Sequence, residues 1–236
     1  MSANADILLG SEPVATLVTE PALPPVEILR QSNAWNPSDF GREQIRGLVR
    51  RVFFGSPERE VKHVVFSAAE PGIDLANICD QVGRALALET QAHIAIVGRE
   101  SGIKEIAEPP VVYAGATAIK SRALQIGINL WRVPELEMIE PNKELGTGRY
   151  WLSRLAALRS EFEFAVIQGP IAGASSEAAL LGQLADGIIL VLGARTTRKA
   201  TARKIKEQLE CGQSRILGTV LSGRSFPIPE RIYRLL

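Results

Sequence analysis

Cysteine and histidine are scarce: the 236 residues hold 2 of each. Cys79 and Cys211 stand far apart, which excludes a disulfide framework, and His63 and His93 add no metal-ligand spacing. No metal site is expected. No run of 18 apolar residues occurs, so no transmembrane helix is expected either. The opening MSANADILLGSEP has no basic stretch and carries Asp6, which argues against a secretory signal and for a cytoplasmic protein. Neither sign of charge dominates, since the formal net charge is +1. That balance gives no reason to expect nucleic acid as a partner.

The charge that is present is unevenly placed. Residues 1–40 carry Asp6, Glu12, Glu20, Glu27 and Asp39 against Arg30 alone, a net of −4. The same stretch contains PALPP and NPS and no sustained periodicity, so it reads as a disordered acidic lead-in before a domain at 41–236. From Arg195 onward the balance reverses to +7.

Beyond residue 40 the hydrophobic pattern becomes regular. Helical spacing marks 41–54, 74–89, 149–162, 175–186 and 198–211, the fourth with Ser175 or Ser176 as its cap and the last stopped by Gly212. Short apolar runs between them read as strands: HVVFSA and HIAIVG as buried ones, then FAVIQG, GIILVLGA as the most apolar, and ILGTVLSG as the last. Trp131, in NLWRVPE, is placed near a middle strand, and Trp151 on the buried face of its helix. Strands alternating with helices imply an α/β fold: a doubly wound, mainly parallel sheet covered on both faces. Ligands of such sheets sit at the carboxyl ends of the strands. The turns after Phe66, Val97, Ile167 and Val191 are therefore the places to search.

The sequence HVVFSAAEPG, a helix ending RALA, then HIAIVGRE, resembles the opening of the bacterial tyrosine kinases of capsule and exopolysaccharide synthesis. These are relatives of the deviant-Walker partition and division ATPases. The later run EFEFAVIQGP…LLGQLADGIILVLGARTTR…ILGTVLSG resembles their following strands, and the likeness covers about residues 40–236. It implies a P-loop NTPase type of sheet. In a P-loop, backbone N–H groups and a lysine hold phosphates while Ser or Thr holds Mg²⁺. After Ser67 this chain reads AAEPGIDLAN. The lysine position matches Asp74 in one register, with Leu75 and Ala76 at the Ser/Thr positions, and matches Leu75 in the other. Glu70 and Asp74, on either side of Gly72, make the turn acidic rather than basic. Where the family has D-x-D stand Gly98 and Glu100, and where it has D-[TS]-P-P stand Gln168, Gly169, Pro170 and Ile171. Gln cannot supply the charge Mg²⁺ asks of its ligands. Phosphoryl transfer needs all these parts together.

The resemblance therefore implies a non-catalytic, pseudokinase-like interaction or regulatory protein, with no cofactor. An active tyrosine kinase or ATPase using ATP and Mg²⁺ through unconventional residues, Glu100 among them, is the alternative. Its implied partner is the cytoplasmic part of a membrane chain-length or polymerisation protein, or an active kinase homologue. Recruitment to the inner face of the plasma membrane would follow. Glu43, Arg46 and Arg50 partly resemble the E-x-x-R-x-x-R helix with which the kinases form rings, with Val49 where the second Arg should stand. They are candidates for a homo-oligomer interface. Arg195, Arg198, Lys199 and Arg203 are candidates for contact with a partner or a membrane surface, and the absence of interleaved aromatics argues against single-stranded nucleic acid. Tyr113, Tyr150 and Tyr233 form no cluster of the kind these kinases phosphorylate in their tails, and the closing FPIPE segment reads as a rigid strap.

Overall fold

The computed structural model describes residues 37–55, 60–98, 119–134 and 147–223. Residues 1–36 of the lead-in, Trp35 among them, Glu100, Tyr113 and the closing FPIPE segment with Tyr233 lie outside the described residues, while 37–40 belong to the first helix. The elements run α1 (Pro37–Phe53), β1 (His63–Ala68), α2 (Leu75–Glu89), β2 (Ile94–Val97), α3 (Ile119–Arg122), β3 (Leu124–Gln125) and β4 (Leu130–Val133). They continue with α4 (Thr147–Glu161), β5 (Phe164–Gln168), α5 (Glu177–Leu184), β6 (Gly187–Gly193), α6 (Lys199–Cys211) and β7 (Ile216–Ser222). Helix α1 thus begins four residues ahead of the pattern read from position 41.

The strands form a seven-stranded sheet in the order β3-β4-β2-β5-β1-β6-β7. Every pairing is parallel except the antiparallel one between β3 and β4. Strand β1 lies inside the sheet, between β5 and β6, and all six of its residues are buried, the five after His63 being apolar or small. On one face Val64, Phe66, Ile96 and Ile189 meet Leu75, Cys79, Val82 and Leu86 of α2 together with Val49 and Phe53 of α1. On the other, Val65, Ala95, Ile167 and Leu190 meet Trp151, Leu155 and Leu158 of α4, Leu181 of α5, and Ile205 and Leu209 of α6. Each fully buried large side chain contributes about 1.5–3 kcal/mol, so these two layers hold the strand ends in register. Close approach of α2 needs Gly83, where a Cβ would stand 2.5 Å from Ile96 Cδ1.

The region around Trp131 corrects the simple alternation. A short helix and a hairpin, α3-β3-β4, build one edge of the sheet, and Trp131 lies in β4 itself, 7% exposed. Arg132 in the same strand is buried and pairs with Asp80 of α2 at 2.9 Å. Trp151 is buried, as its spacing predicts.

Candidate functional site

Strand β1 ends in the middle of the sheet, with β5 on one side and β6 on the other. The chain leaves β1 toward β2 and β4, returns through β5, and crosses to β6 and β7, so the order reverses at the carboxyl end of β1. That is the switch point at which a sheet of this kind opens a crevice.

The chain's own side chains tie the turns around that crevice to one another. Ser67 Oγ donates to the carbonyl of Pro170, and Gly169 N donates to Phe66 O at 2.8 Å. A Cβ on Gly169 would stand 2.7 Å from Val65 Cγ1, so the β5 turn approaches β1 through glycine. Ala69 N reaches Val191 O at 2.9 Å, and Ala172 N reaches Ala68 O at the same distance. In the turn after β1, Gly72 takes φ +87°, a conformation that suits glycine. Asp74 caps α2, its carboxylate accepting from Asn77 N at 3.1 Å. The Glu70 carboxylate accepts from Thr197 Oγ1 at 2.6 Å and from Thr196 Oγ1. These two hydroxyls hold the Glu70 carboxyl below the usual carboxylate range. Across the crevice Gly98 has φ +144°, and a Cβ there would meet Gln168 Oε1 at 2.5 Å and Gln168 Cβ at 2.6 Å. Among the described residues, no group of three or more His, Cys, Asp or Glu could hold a metal ion, and no helix is long and apolar enough to cross a membrane.

No family model matches the chain. The tyrosine-protein kinase YwqD of Bacillus subtilis is 25% identical to it over 209 residues, covering 80% of this chain and 83% of YwqD. The tyrosine-protein kinase CpsD of Streptococcus agalactiae is 32% identical over 96 residues, which span 38% of this chain and 41% of CpsD. Over most of its length the chain is thus similar to a bacterial tyrosine kinase. Solved structures share its fold. The VpsO kinase domain matches with a TM-score of 0.58 at 18% identity, over 80% of this chain and 98% of that domain. The kinase domain of the Escherichia coli tyrosine kinase ETK gives 0.57 at 15% identity, over 79% and 78%. The MinD cell division protein of Aquifex aeolicus gives 0.53 at 13%, over 73% and 74%. The sheet is of the P-loop NTPase type common to these domains.

The strand-end turns carry Ser67, Glu70, Gly72, Asp74, Leu75, Gly98, Gln168, Gly169 and Pro170, the described positions that the resemblance singled out. Leu75 is the first residue of α2 and is buried in the core. Thr196 and Thr197 were not among them. Polar residues in a turn carry no sequence signal for a partner more than 120 positions away, and only the parallel pairing of β1 with β6 makes them neighbours of Glu70. Arg195, Arg198 and Lys199 stand exposed at the same edge of the sheet, and Arg203 follows along α6. Ser176 occupies the cap position of α5 without a side-chain cap bond, while Ser175 Oγ accepts from Glu177 N at 3.2 Å.

Glu43, Arg46 and Arg50 line one side of α1 and are engaged within the chain. Arg46 Nη1 lies 3.3 Å from Glu43 Oε2, and Arg50 forks onto both oxygens of Glu89 at the end of α2, at 3.3 and 3.1 Å. The Arg50 side chain is 58% exposed. Arg50→Ala is accordingly expected to lower unfolding stability by at most about 1 kcal/mol in urea titration. A change in sedimenting mass in the same variant would assign Arg50 to an interface between copies as well.

A second polar cluster, which sequence reading did not reach, lies at the opposite end of the sheet. Asp186, just before β6, accepts from Lys62 N at 2.8 Å and His63 N at 2.7 Å and pairs with Arg159 at 3.0 Å. Burial raises the Asp186 carboxyl, but those backbone N–H groups and Arg159 outweigh it and hold it low. A cavity of about 720 Å³ opens there, lined in part by Lys62, His63, His93, Arg159 and Asp186.

Proposed function

We propose that this chain is a non-catalytic, pseudokinase-like member of the bacterial tyrosine-kinase family, acting as an interaction or regulatory protein in exopolysaccharide or capsule biosynthesis and export. The observation that carries the reading is the fate of the two carboxylates in the turn after β1. Where a triphosphate would need cations and free N–H donors, this turn has Glu70 clasped by Thr196 and Thr197, and Asp74 bonded to the start of α2. No Lys or Arg occurs from Ala69 to Asp74 or from Gln168 to Ser176. Gln168, an uncharged amide, stands where the resemblance calls for a carboxylate to orient magnesium's water, and it fills the space beside Gly98. These residues do not fit a magnesium nucleotide, and no transfer step is assigned to them.

In this role the chain would dock on the cytoplasmic part of a membrane chain-length or polymerisation protein, or on an active kinase homologue, and be recruited to the inner face of the membrane through it. The kinase activity named for YwqD and CpsD favours a second reading, an active tyrosine kinase with unconventional site residues.

Calorimetric titration with ATP and with ADP, each with Mg²⁺, separates the two. The expected result is no heat and no change in melting temperature for either nucleotide. Binding at 100 times Kd would add about 2.7 kcal/mol to stability, a shift that a melt resolves easily. A shift of that size would overturn the non-catalytic reading and return Glu70 and Gln168 to the active-site roster.

A further inference from the structure

The segment from β6 into α6 has a one-sided charge that the reading of the crevice leaves unused. From Gly187 through Lys206 there is no acidic residue, whereas Arg195, Arg198, Lys199, Arg203, Lys204 and Lys206 are all present and all exposed. The ion pair this segment makes among the described residues is Lys206 Nζ to Glu210 Oε1, at 2.8 Å. Several cations elsewhere are paired: Arg46 and Arg50 with Glu89, Lys62 with Glu60 and Glu163, Arg132 with Asp80, and Arg159 with Asp186.

The helix also sorts these cations by face. Ile205 and Leu209 turn inward, 2% and 1% exposed. Lys199, Arg203 and Lys206, at i, i+4 and i+7, form a row away from them that ends at Glu210, with Arg195 and Arg198 exposed in the turn before the helix. The groove between α5 and α6 runs along another side of the helix, past Lys204 and Gln208. The stripe itself borders neither described cavity. A row of exposed cations along the outside of the first turns of α6 is complementary in charge to a flat anionic surface.

We infer that the stripe of Lys199, Arg203 and Lys206, with Arg195 and Arg198, is a direct docking surface for an anionic lipid bilayer. It does not depend on whether the crevice binds nucleotide. The attraction is long-range and carries no apolar insertion, so it weakens as salt shortens the Debye length from about 10 Å at 0.1 M to about 3 Å at 1 M. Each Lys or Arg held near such a surface strengthens binding roughly fivefold.

The test is co-sedimentation of the full chain with vesicles of phosphatidylcholine carrying roughly one-third phosphatidylglycerol, against vesicles of phosphatidylcholine alone. Binding to the first and not the second is expected, falling as salt is raised. Lys199→Glu/Arg203→Glu should lose at least about tenfold in binding. Arg84→Glu/Arg149→Glu changes net charge equally at exposed positions off the stripe and should bind nearly as the parent does. Melting curves of both variants verify that each is folded. Absence of binding to the anionic vesicles overturns the proposal, as does equal loss in the two variants, which would mean net charge alone. Retention on a polyglutamate column without vesicle binding would assign the stripe to an acidic protein instead.

Discussion

Acidification from roughly pH 7.5 to pH 4.5 is expected to remove about 2.5 kcal/mol of unfolding free energy through His63 alone. The imidazole opens β1, is 3% exposed, and its Nε2 has no hydrogen-bond partner. Burial is the largest influence on it and disfavours the charged ring. Asp186 nearby pulls the other way, and Arg159 and Lys62 add to the burial effect, so the folded pKa falls to about 4. An unfolded histidine titrates near 6.5. Between these values the unfolded chain holds a proton that the folded chain refuses, so stability is complete above about pH 6.5 and declines until about pH 4. Below that the contribution is flat. Urea unfolding across this window, in the parent and in His63→Gln, measures the effect directly. The parent should show the slope and the variant should lose it. An equal slope in both would mean that the proton is taken up elsewhere.

How much of this was legible in the sequence depends on how locally each feature is encoded. Strands β1, β2, β5 and β6 are buried runs of apolar residues between helical patterns and need no other signal, while β7, a similar run, lies at the sheet edge with none of its residues buried. Strands β3 and β4 were missed as elements because the signal is diluted. β3 is two exposed residues long, and β4 carries Arg132 in the middle of LWRV, an arginine explained only by Asp80 on α2. The crevice was legible in outline, since strand ends follow from strands and the turn residues can be read off in order. Its internal bonds were not. Glu70 looks like an unattached surface acid in the sequence, and only the pairing of β1 with β6 reveals its two threonine partners. Asp186 and His63 are separated by 123 positions and share no motif, yet the start of β6 beside the start of β1 makes them one cluster.

Placing a carboxylate at the end of the second strand, by Gly98→Asp, is expected to destabilise the fold by about 2–4 kcal/mol. Two causes combine. A backbone at φ +144° is one that side chains other than glycine rarely adopt. Any Cβ would also press on Gln168 Cβ at 2.6 Å, an atom fixed by strand β5 and unable to swing aside as a chain end could. Neither cause involves charge, so Gly98→Ala should cost nearly as much as Gly98→Asp in chemical unfolding. The contact part can be isolated: in a Gln168→Gly background the penalty of Gly98→Ala should shrink by about 1 kcal/mol or more, leaving the backbone part. A Gly98→Asp chain as stable as the parent would show that this turn relaxes freely. On the expected result the two positions are coupled sterically, so a side chain at position 98 can be accommodated only when residue 168 gives way.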